Sequence, residues 1–170
     1  MVTLEPVRAE NVQLFKAVRL RALQDSPSAF GSTYAREIQF NDEEWQARAE
    51  RWNGEHGIGY LAVDDGVPCG IAGGLLDTVD PVDQIDQVRA HLVSMWTAST
   101  HRQRGVGRLL VDAVAAWARL RGVNTLLLSV VSTNEAAISF YLRLGFTMTG
   151  KTEPYPNDPA LIEYEMALSI

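Results

Sequence analysis

A chain of 170 residues suggests one domain, residues 1–170, long enough to bury a core. Its apolar fraction of 46% is ordinary for a soluble globular protein, and no apolar run approaches the roughly 20 residues that span a bilayer, so no membrane partner is expected. The formal net charge of −6 argues against general nucleic-acid affinity and leaves room for a cationic small molecule or a basic peptide.

The segment Met1–Phe15 carries acidic residues and no apolar h-region, so it does not read as a signal peptide. The single cysteine, Cys69, rules out an internal disulfide and fits a reducing compartment, with the cytoplasm as the default. No His or Asp adjoins it in sequence, so it reads as a small buried hydrophobe.

Val2 to Val7 forms a first strand. A helix starts near Glu10, with Val12, Phe15, Val18 and Ala22 on one face. Asp25-Ser26-Pro27-Ser28 ends it, because proline forces the preceding residue out of the helical region. Asn41 opens a second helix as N-cap, with Glu44 as its capping-box partner and Glu43 in the first turn. Trp45, Ala49 and Trp52 mark its apolar face, and Gly54, Gly57 and Gly59 end it.

Tyr60 to Val63 and Val67 to Leu76 read as two strands joined by a hairpin turn at Asp64-Asp65-Gly66. Gly70, Gly73 and Gly74 thin the second of these and predict a close approach by another element. Asp77 to Asp86 is a loop, and Val88 to Thr97 is a long strand. Leu110, Ala113, Val114 and Trp117 form a helical stripe ending near Gly122. Thr125 to Val131 is a continuous apolar strand of the kind buried on both faces. Asn134 to Leu144 is a helix closed by Gly145, with Ala137, Phe140, Tyr141 and Leu144 on one stripe. Two last strands, Phe146 to Gly150 and Leu161 to Leu168, flank a proline-rich loop, Pro154 to Pro159. The pattern predicts a mixed α/β sheet. It shows no repeat, low-complexity tract or linker.

The stretch Val93 to Leu110 carries the first chemical signal. A strand runs into Arg102-Gln103-Arg104-Gly105-Val106-Gly107, and a helix begins at once. Such a turn aims backbone N–H groups outward at the positive end of a helix dipole, where a phosphate is the natural guest. A dinucleotide fingerprint would need a third glycine where Leu110 stands, and a P-loop would need Lys and Ser or Thr after its glycine. Here two close glycines are flanked by Arg102, Arg104 and Arg108, which supply charge to a phosphate without a metal. Taken alone the turn also reads as a tight strand-to-helix connection with solvated arginines.

Two flanking pieces narrow the choice. Met95-Trp96-Thr97-Ala98 with the turn resembles the acetyl-CoA pyrophosphate motif of the GNAT superfamily of N-acetyltransferases, R/Q-x-x-G-x-G/A at the end of its fourth strand. Asn134-Glu135-Ala136-Ala137-Ile138-Ser139-Phe140-Tyr141-Leu142-Arg143-Leu144-Gly145-Phe146 resembles that superfamily's N-x-x-A-x-x-F-Y-x-x-x-G-F element. The likeness covers residues 60 to 150 well and the N-terminal third loosely. It implies an α/β fold with a mixed, mostly antiparallel central sheet of about seven strands flanked by about four helices. It implies acetyl-CoA as cosubstrate and a primary amine of a small molecule or peptide as acceptor, and it is compatible with a homodimer. A proline common in the family after the fourth strand is Ser99 here, which alters the stiffness of the turn.

Residue by residue, the resemblance implies that the backbone of Met95, Trp96 and Thr97 pairs with the pantetheine arm as an added strand. Arg102, Gln103, Arg104, Gly105, Val106, Gly107 and Arg108 would surround the pyrophosphate. Asn134 would hydrogen-bond the pantetheine end, and Tyr141 would stand near the thioester sulfur. Acetyl transfer to an amine requires the amine to lose a proton, the developing oxyanion to be stabilised, and the thiolate to be protonated. A strand N–H near Met95 to Thr97 suits the second task. The Tyr141 phenol suits the third. Helical spacing by itself reads Tyr141 as a core aromatic; the motif around it assigns the acid role.

No general base is visible. His91 lies two residues before Val93 and could share its face; His101 abuts the turn and is expected in solvent. The carboxylates Asp77, Asp80, Asp83 and Asp86 read as a solvated loop or as an acidic rim for a cationic amine. Their spacing is not that of an EF-hand, so no metal is expected. Two rival readings remain, a non-catalytic acetyl-CoA-binding sensor and a nucleotide-phosphate binder using the same turn.

Overall fold

The computed structural model describes residues 1–77 and 88–170. Seven strands, β1 Val2–Pro6, β2 Gly57–Asp64, β3 Val67–Leu76, β4 Arg89–Thr97, β5 Thr125–Val131, β6 Thr147–Tyr155 and β7 Asp158–Ser169, make one sheet in the order β1-β2-β3-β4-β5-β7-β6. Every neighbouring pair is antiparallel except β4 with β5, which is parallel. The five helices are α1 Val12–Asp25, α2 Tyr34–Glu37, α3 Asp42–Arg51, α4 Val106–Leu120 and α5 Glu135–Arg143. The mixed, mostly antiparallel sheet is the one expected, and α2 is an additional single turn. Its N-cap is Thr33, whose Oγ1 accepts from the Arg36 N–H at 3.2 Å.

Two consecutive glycines show how the layers stack. A Cβ on Gly73 would lie 2.9 Å from Trp52, at the C-terminal end of α3. A Cβ on Gly74 would lie 2.8 Å from Val114 and 2.9 Å from Trp117, both in α4. Successive strand residues face opposite sides, so α3 covers one face of the sheet and α4 the other. α1 joins α3 on the first face, where Phe15 meets Trp45 edge-on at 5.6 Å. The close approach predicted from the glycines of β3 is therefore the approach of these aromatic and aliphatic side chains. Leu110, Val114 and Trp117 of α4 are buried, as their spacing requires.

The α3 capping box is present in full. Asn41 Oδ1 accepts from the Glu44 N–H, and Glu44 Oε2 accepts from the Asn41 N–H. At the other end of the chain the expected proline-rich loop is much shorter. β6 continues through Pro154, which pairs with Ile162, and a two-residue turn, Pro156-Asn157, leads directly into β7. β6 is an edge strand, so Pro154 withholds no N–H that a further strand needs. The turn is tied down at long range. Tyr155 Oη donates to Phe30 O at 2.8 Å, and Asn157 Nδ2 donates to the same carbonyl at 2.9 Å.

An ion cluster unforeseen in the sequence joins the three N-terminal helices. Glu37 is 1% exposed and Arg19 5%. Glu37 accepts from Arg19 Nε at 3.0 Å and Nη2 at 2.8 Å, and from Arg48 Nη1 at 2.8 Å. Burial opposes ionisation of Glu37, but the two guanidinium groups outweigh it and bring its pKa to about 2. Arg19 lies four residues after Phe15 and three before Ala22, on the buried stripe of α1.

Candidate active site

The site begins with a fault in β4. Val93 pairs with Gly73 and Trp96 with Ile71, so three steps along β4 match two along β3. The extra residue is a β-bulge, and Ser94 within it has φ 57°. On its other side β4 pairs with β5 over three residues, Arg89–His91 with Thr125–Leu127. Past Leu127, β5 continues against β7 while β4 turns away. Among the described residues, the β5-facing edge of β4 from Val93 onward has no strand opposite it. A cavity of about 330 Å³ occupies this gap, between Ser94 and Met95 on one side and Leu128 and Ser129 on the other.

The turn after β4 is built for backbone exposure. Gln103 has φ 60° and Gly105 φ 82°, and α4 starts at Val106. Left-handed conformation at the N-cap is natural for glycine. The first amides of α4 have no partner inside the helix and carry the positive end of its dipole. Gly107 leaves no room for a side chain: a Cβ there would sit 2.9 Å from Phe140 and 3.2 Å from Met95. That contact brings the start of α4, β4 and α5 together.

The three arginines of the turn differ. Arg102 is engaged within the protein, with Nη2 2.7 Å from Asp25 Oδ2 and Nε donating to Thr97 O at 3.0 Å. Asp25 also accepts from the Trp96 indole N–H at 2.8 Å, and this bond foremost, with Ser26 and Arg102, holds its carboxyl below the usual range. Arg102 is thus a brace between the end of α1 and the turn. Arg104 lies 3.9 Å from Asp64, and Arg108 3.7 Å from Asp112, and both side chains are more than half exposed. Trp96 is 3% exposed, with its indole turned into the protein against Asp25.

Asn134 is the N-cap of α5, with Oδ1 accepting from the Ala137 N–H at 3.2 Å. Its Nδ2 donates to no described residue. Tyr141 is placed as its helical spacing expects, as a core aromatic. Its ring packs against Phe140 at 5.2 Å and edge-on to Phe146 at 5.6 Å, in the core. It also lines the cavity, and its hydroxyl makes no hydrogen bond to any described residue. Burial pushes the phenol up, well above its ordinary value.

His91 lines the cavity, with Nε2 3.5 Å from Asp77 Oδ2. His101 is not in solvent as expected. It is half-buried, with Nε2 3.2 Å from Asp64 and Nδ1 2.8 Å from Thr100 Oγ1, because the short 3₁₀ turn Ser99–His101 folds it back under the loop. Cys69 is fully buried. Of the acidic loop, Asp77 pairs with Arg89 and His91, while Asp80, Asp83 and Asp86 lie outside the described residues. Among the described residues no cluster of His, Cys, Asp and Glu is arranged to hold a metal ion.

Arg19, Ser94 and Glu163 are among the cavity residues not singled out from the sequence. Arg19 carried a signal, since its helical position put a charge on an apolar stripe. Ser94 and Glu163 carried none, because a bulge and a sheet gap are properties of pairing.

The model of the acetyltransferase (GNAT) family matches residues 20–146. A mouse relative described as "Probable N-acetyltransferase family 8 member 5" is 31% identical over 96 residues, which are 56% of this chain and 41% of that protein's length. An acetyltransferase of the GNAT family from Streptococcus pneumoniae superposes with a TM-score of 0.78 over 100% of this chain and 99% of its own, at 20% identity. Arabidopsis thaliana Naa50, solved with the bisubstrate analogue CoA-Ac-MVNAL, superposes with a TM-score of 0.70 over 99% of both chains, also at 20% identity.

Proposed function

The chain belongs to the GNAT acetyltransferase family, and we propose that it transfers the acetyl group of acetyl-CoA to a primary amine of a small molecule or peptide. The carrying observation is the open edge of β4, which ends in an exposed turn with left-handed backbone at Gln103 and Gly105. An extended pantetheine arm can pair with such an edge as a strand would, through the backbone of Met95, Trp96 and Thr97. Its pyrophosphate then falls at the start of α4, where the turn Gln103–Gly105 meets the helix's unpartnered first amides. The residues present fit that cargo. Gly107 lets the start of α4 pack directly on Phe140 and Met95, Arg104 and Arg108 add unburied charge, and Arg102 stiffens the turn through Asp25.

Asn134 caps α5 with its oxygen and keeps its amide N–H₂ for the pantetheine end. Tyr141, whose raised pKa keeps it protonated throughout the neutral range, gives its proton to the departing sulfur. A β4 amide near Met95 supports negative charge on the carbonyl oxygen. The acceptor enters from the α1 side, where Phe30 and Ser32 border the same cavity. Naa50 with its peptide-bearing analogue supports a peptide amine as one class of acceptor. The acidic net charge favours a cationic acceptor over nucleic acid. The cytoplasm suits a chain with one buried thiol, and a homodimer is compatible with this site.

Thiol release from acetyl-CoA in the presence of a panel of alkylamines, amino acids, polyamines and peptides tests the proposal. Release that depends on at least one amine is expected. Binding of acetyl-CoA with no amine-dependent release would leave a sensor rather than an enzyme.

A further inference from the structure

The mechanism above lacks a group to take the proton from the acceptor, and the far wall of the cavity holds a candidate. In β7, Tyr164 packs against the core and Met166 is fully buried. Alternation along the strand therefore turns Glu163 and Glu165 to the opposite face. Glu163 stands across from Val131 of β5 and Glu153 of β6. It lines the same cavity as Ser94, Met95 and Tyr141.

The charged groups around Glu163 are already matched with one another. Glu153 lies 3.2 Å from Lys151 Nζ. Glu165 lies 3.6 Å from the same nitrogen and accepts from Thr149 Oγ1 at 3.0 Å. His91, from β4, lies 3.5 Å from Asp77. Glu163 forms no hydrogen bond or ion pair with any described residue, although it is half-buried. A carboxylate left bare in a cleft is poorly solvated and has spare acceptor capacity.

Resting on the acetyl-transfer reading, we propose that Glu163 is the general base that deprotonates the acceptor amine in the cleft between β4 and β5. Burial, and then the neighbouring Glu153 carboxylate, raise its affinity for a proton above that of an ordinary glutamate, which suits a base working near neutrality. The acceptor ammonium passes one proton to the Glu163 carboxylate, and the freed nitrogen lone pair bonds to the thioester carbonyl carbon. The C–S bond breaks, its electron pair leaves on sulfur, and sulfur takes the Tyr141 phenolic proton. Glu163 releases its first proton to solvent, accepts the second proton from nitrogen and passes that one to solvent as well. Solvent reprotonates Tyr141. The sum is one amide, one thiol and one proton released.

The test compares Glu163→Gln with the wild type on two acceptors. One is an alkylamine that the wild type acetylates, and the other is its β-fluorinated counterpart, which is largely neutral at neutral pH. Turnover of the alkylamine should fall about 100-fold or more in kcat, while the fluorinated amine loses less than about a tenth of that factor. The alkylamine deficit should shrink as pH rises, and acetyl-CoA affinity and Tm should stay at wild-type values. Equal losses on both amines, a loss confined to KM, or no loss would overturn the assignment. If the amide variant does not fold, Glu163→Asp serves instead: a selective kcat deficit on the alkylamine supports the base, and an equal change on both amines refutes it. Absence of amine-dependent thiol release in the wild type would instead refute acetyl transfer itself.

Discussion

Arg19 Nη1 donates to Ser94 Oγ at 3.2 Å, so a buried guanidinium of α1 holds the β4 residue whose backbone is left-handed. The same guanidinium grips Glu37 with its other nitrogens. The N-terminal helices thereby reach the bulge that opens the cleft. Arg19→Met should cost about 3–5 kcal/mol, because it leaves Glu37 buried with one partner. Ser94→Ala removes a single bond and should cost about 1 kcal/mol. Urea unfolding of both variants measures the difference, and equal costs would disconnect the ion cluster from the bulge.

Glu37 also sets an acid limit. Its folded pKa of about 2 lies below the 4.5 of the free side chain, so the unfolded chain binds the proton more readily. The stabilisation is complete above pH 4.5 and is lost as pH falls from there toward 2. The shift corresponds to stability on the order of 3 kcal/mol. Unfolding free energy measured against pH should fall through that window in the wild type. Glu37→Gln should be less stable at neutrality and flatter in acid.

Gly107 marks where α4, β4 and α5 crowd together. Gly107→Ala places a methyl group against Phe140 and Met95 and should cost about 1–3 kcal/mol of stability. Acetyl-CoA affinity should fall with it, since Met95 and the first amides of α4 are displaced together. Gly105→Ala meets no atom within 4 Å, and its penalty is backbone strain alone, about 1–2 kcal/mol. Calorimetric titration with acetyl-CoA should rank Gly107→Ala as the weaker binder.

These contrasts show which parts of the site were legible in the residues. The turn from Arg102 to Gly107 could be read because its glycines, its arginines and the Leu110-Val114-Trp117 stripe are local patterns, and local patterns carry over into structure. The start of α5 at Asn134 and the packed stripe that holds Tyr141 could be read for the same reason. Arg102 was visible as a charge but not as a brace, because Asp25 and Ser26, which it joins, lie far away in sequence. The bulge at Ser94 and the bare carboxylate of Glu163 depend on how β3, β5, β6 and β7 pair, and no window of sequence contains that. The four residues of α2 carry no period. Nothing near His101 in sequence announces Asp64 as its partner.

Tyr141 offers a sharper test of chemistry. Tyr141→Phe keeps the ring in its packing against Phe146 and removes the proposed acid. It should leave acetyl-CoA affinity and Tm close to the wild type and lower kcat by about 100-fold. Because burial raises the phenol pKa, the wild-type enzyme should keep this proton donor across the neutral and mildly alkaline range. An unchanged kcat would return Tyr141 to the role of core aromatic.

The most direct measurement of the central claim is the amide spectrum of ¹⁵N-labelled protein titrated with acetyl-CoA. A cofactor that pairs with the open β4 edge and anchors at the start of α4 must move the amides of Met95, Thr97, Gly105, Val106 and Gly107, with Asn134 and Tyr141 following. The amides of β1 and of the β6 edge should stay in place. Saturable changes confined to that set, reproduced by coenzyme A and not by ATP or NAD, are the predicted result. Changes centred elsewhere on the sheet, or none at millimolar acetyl-CoA, would contradict it.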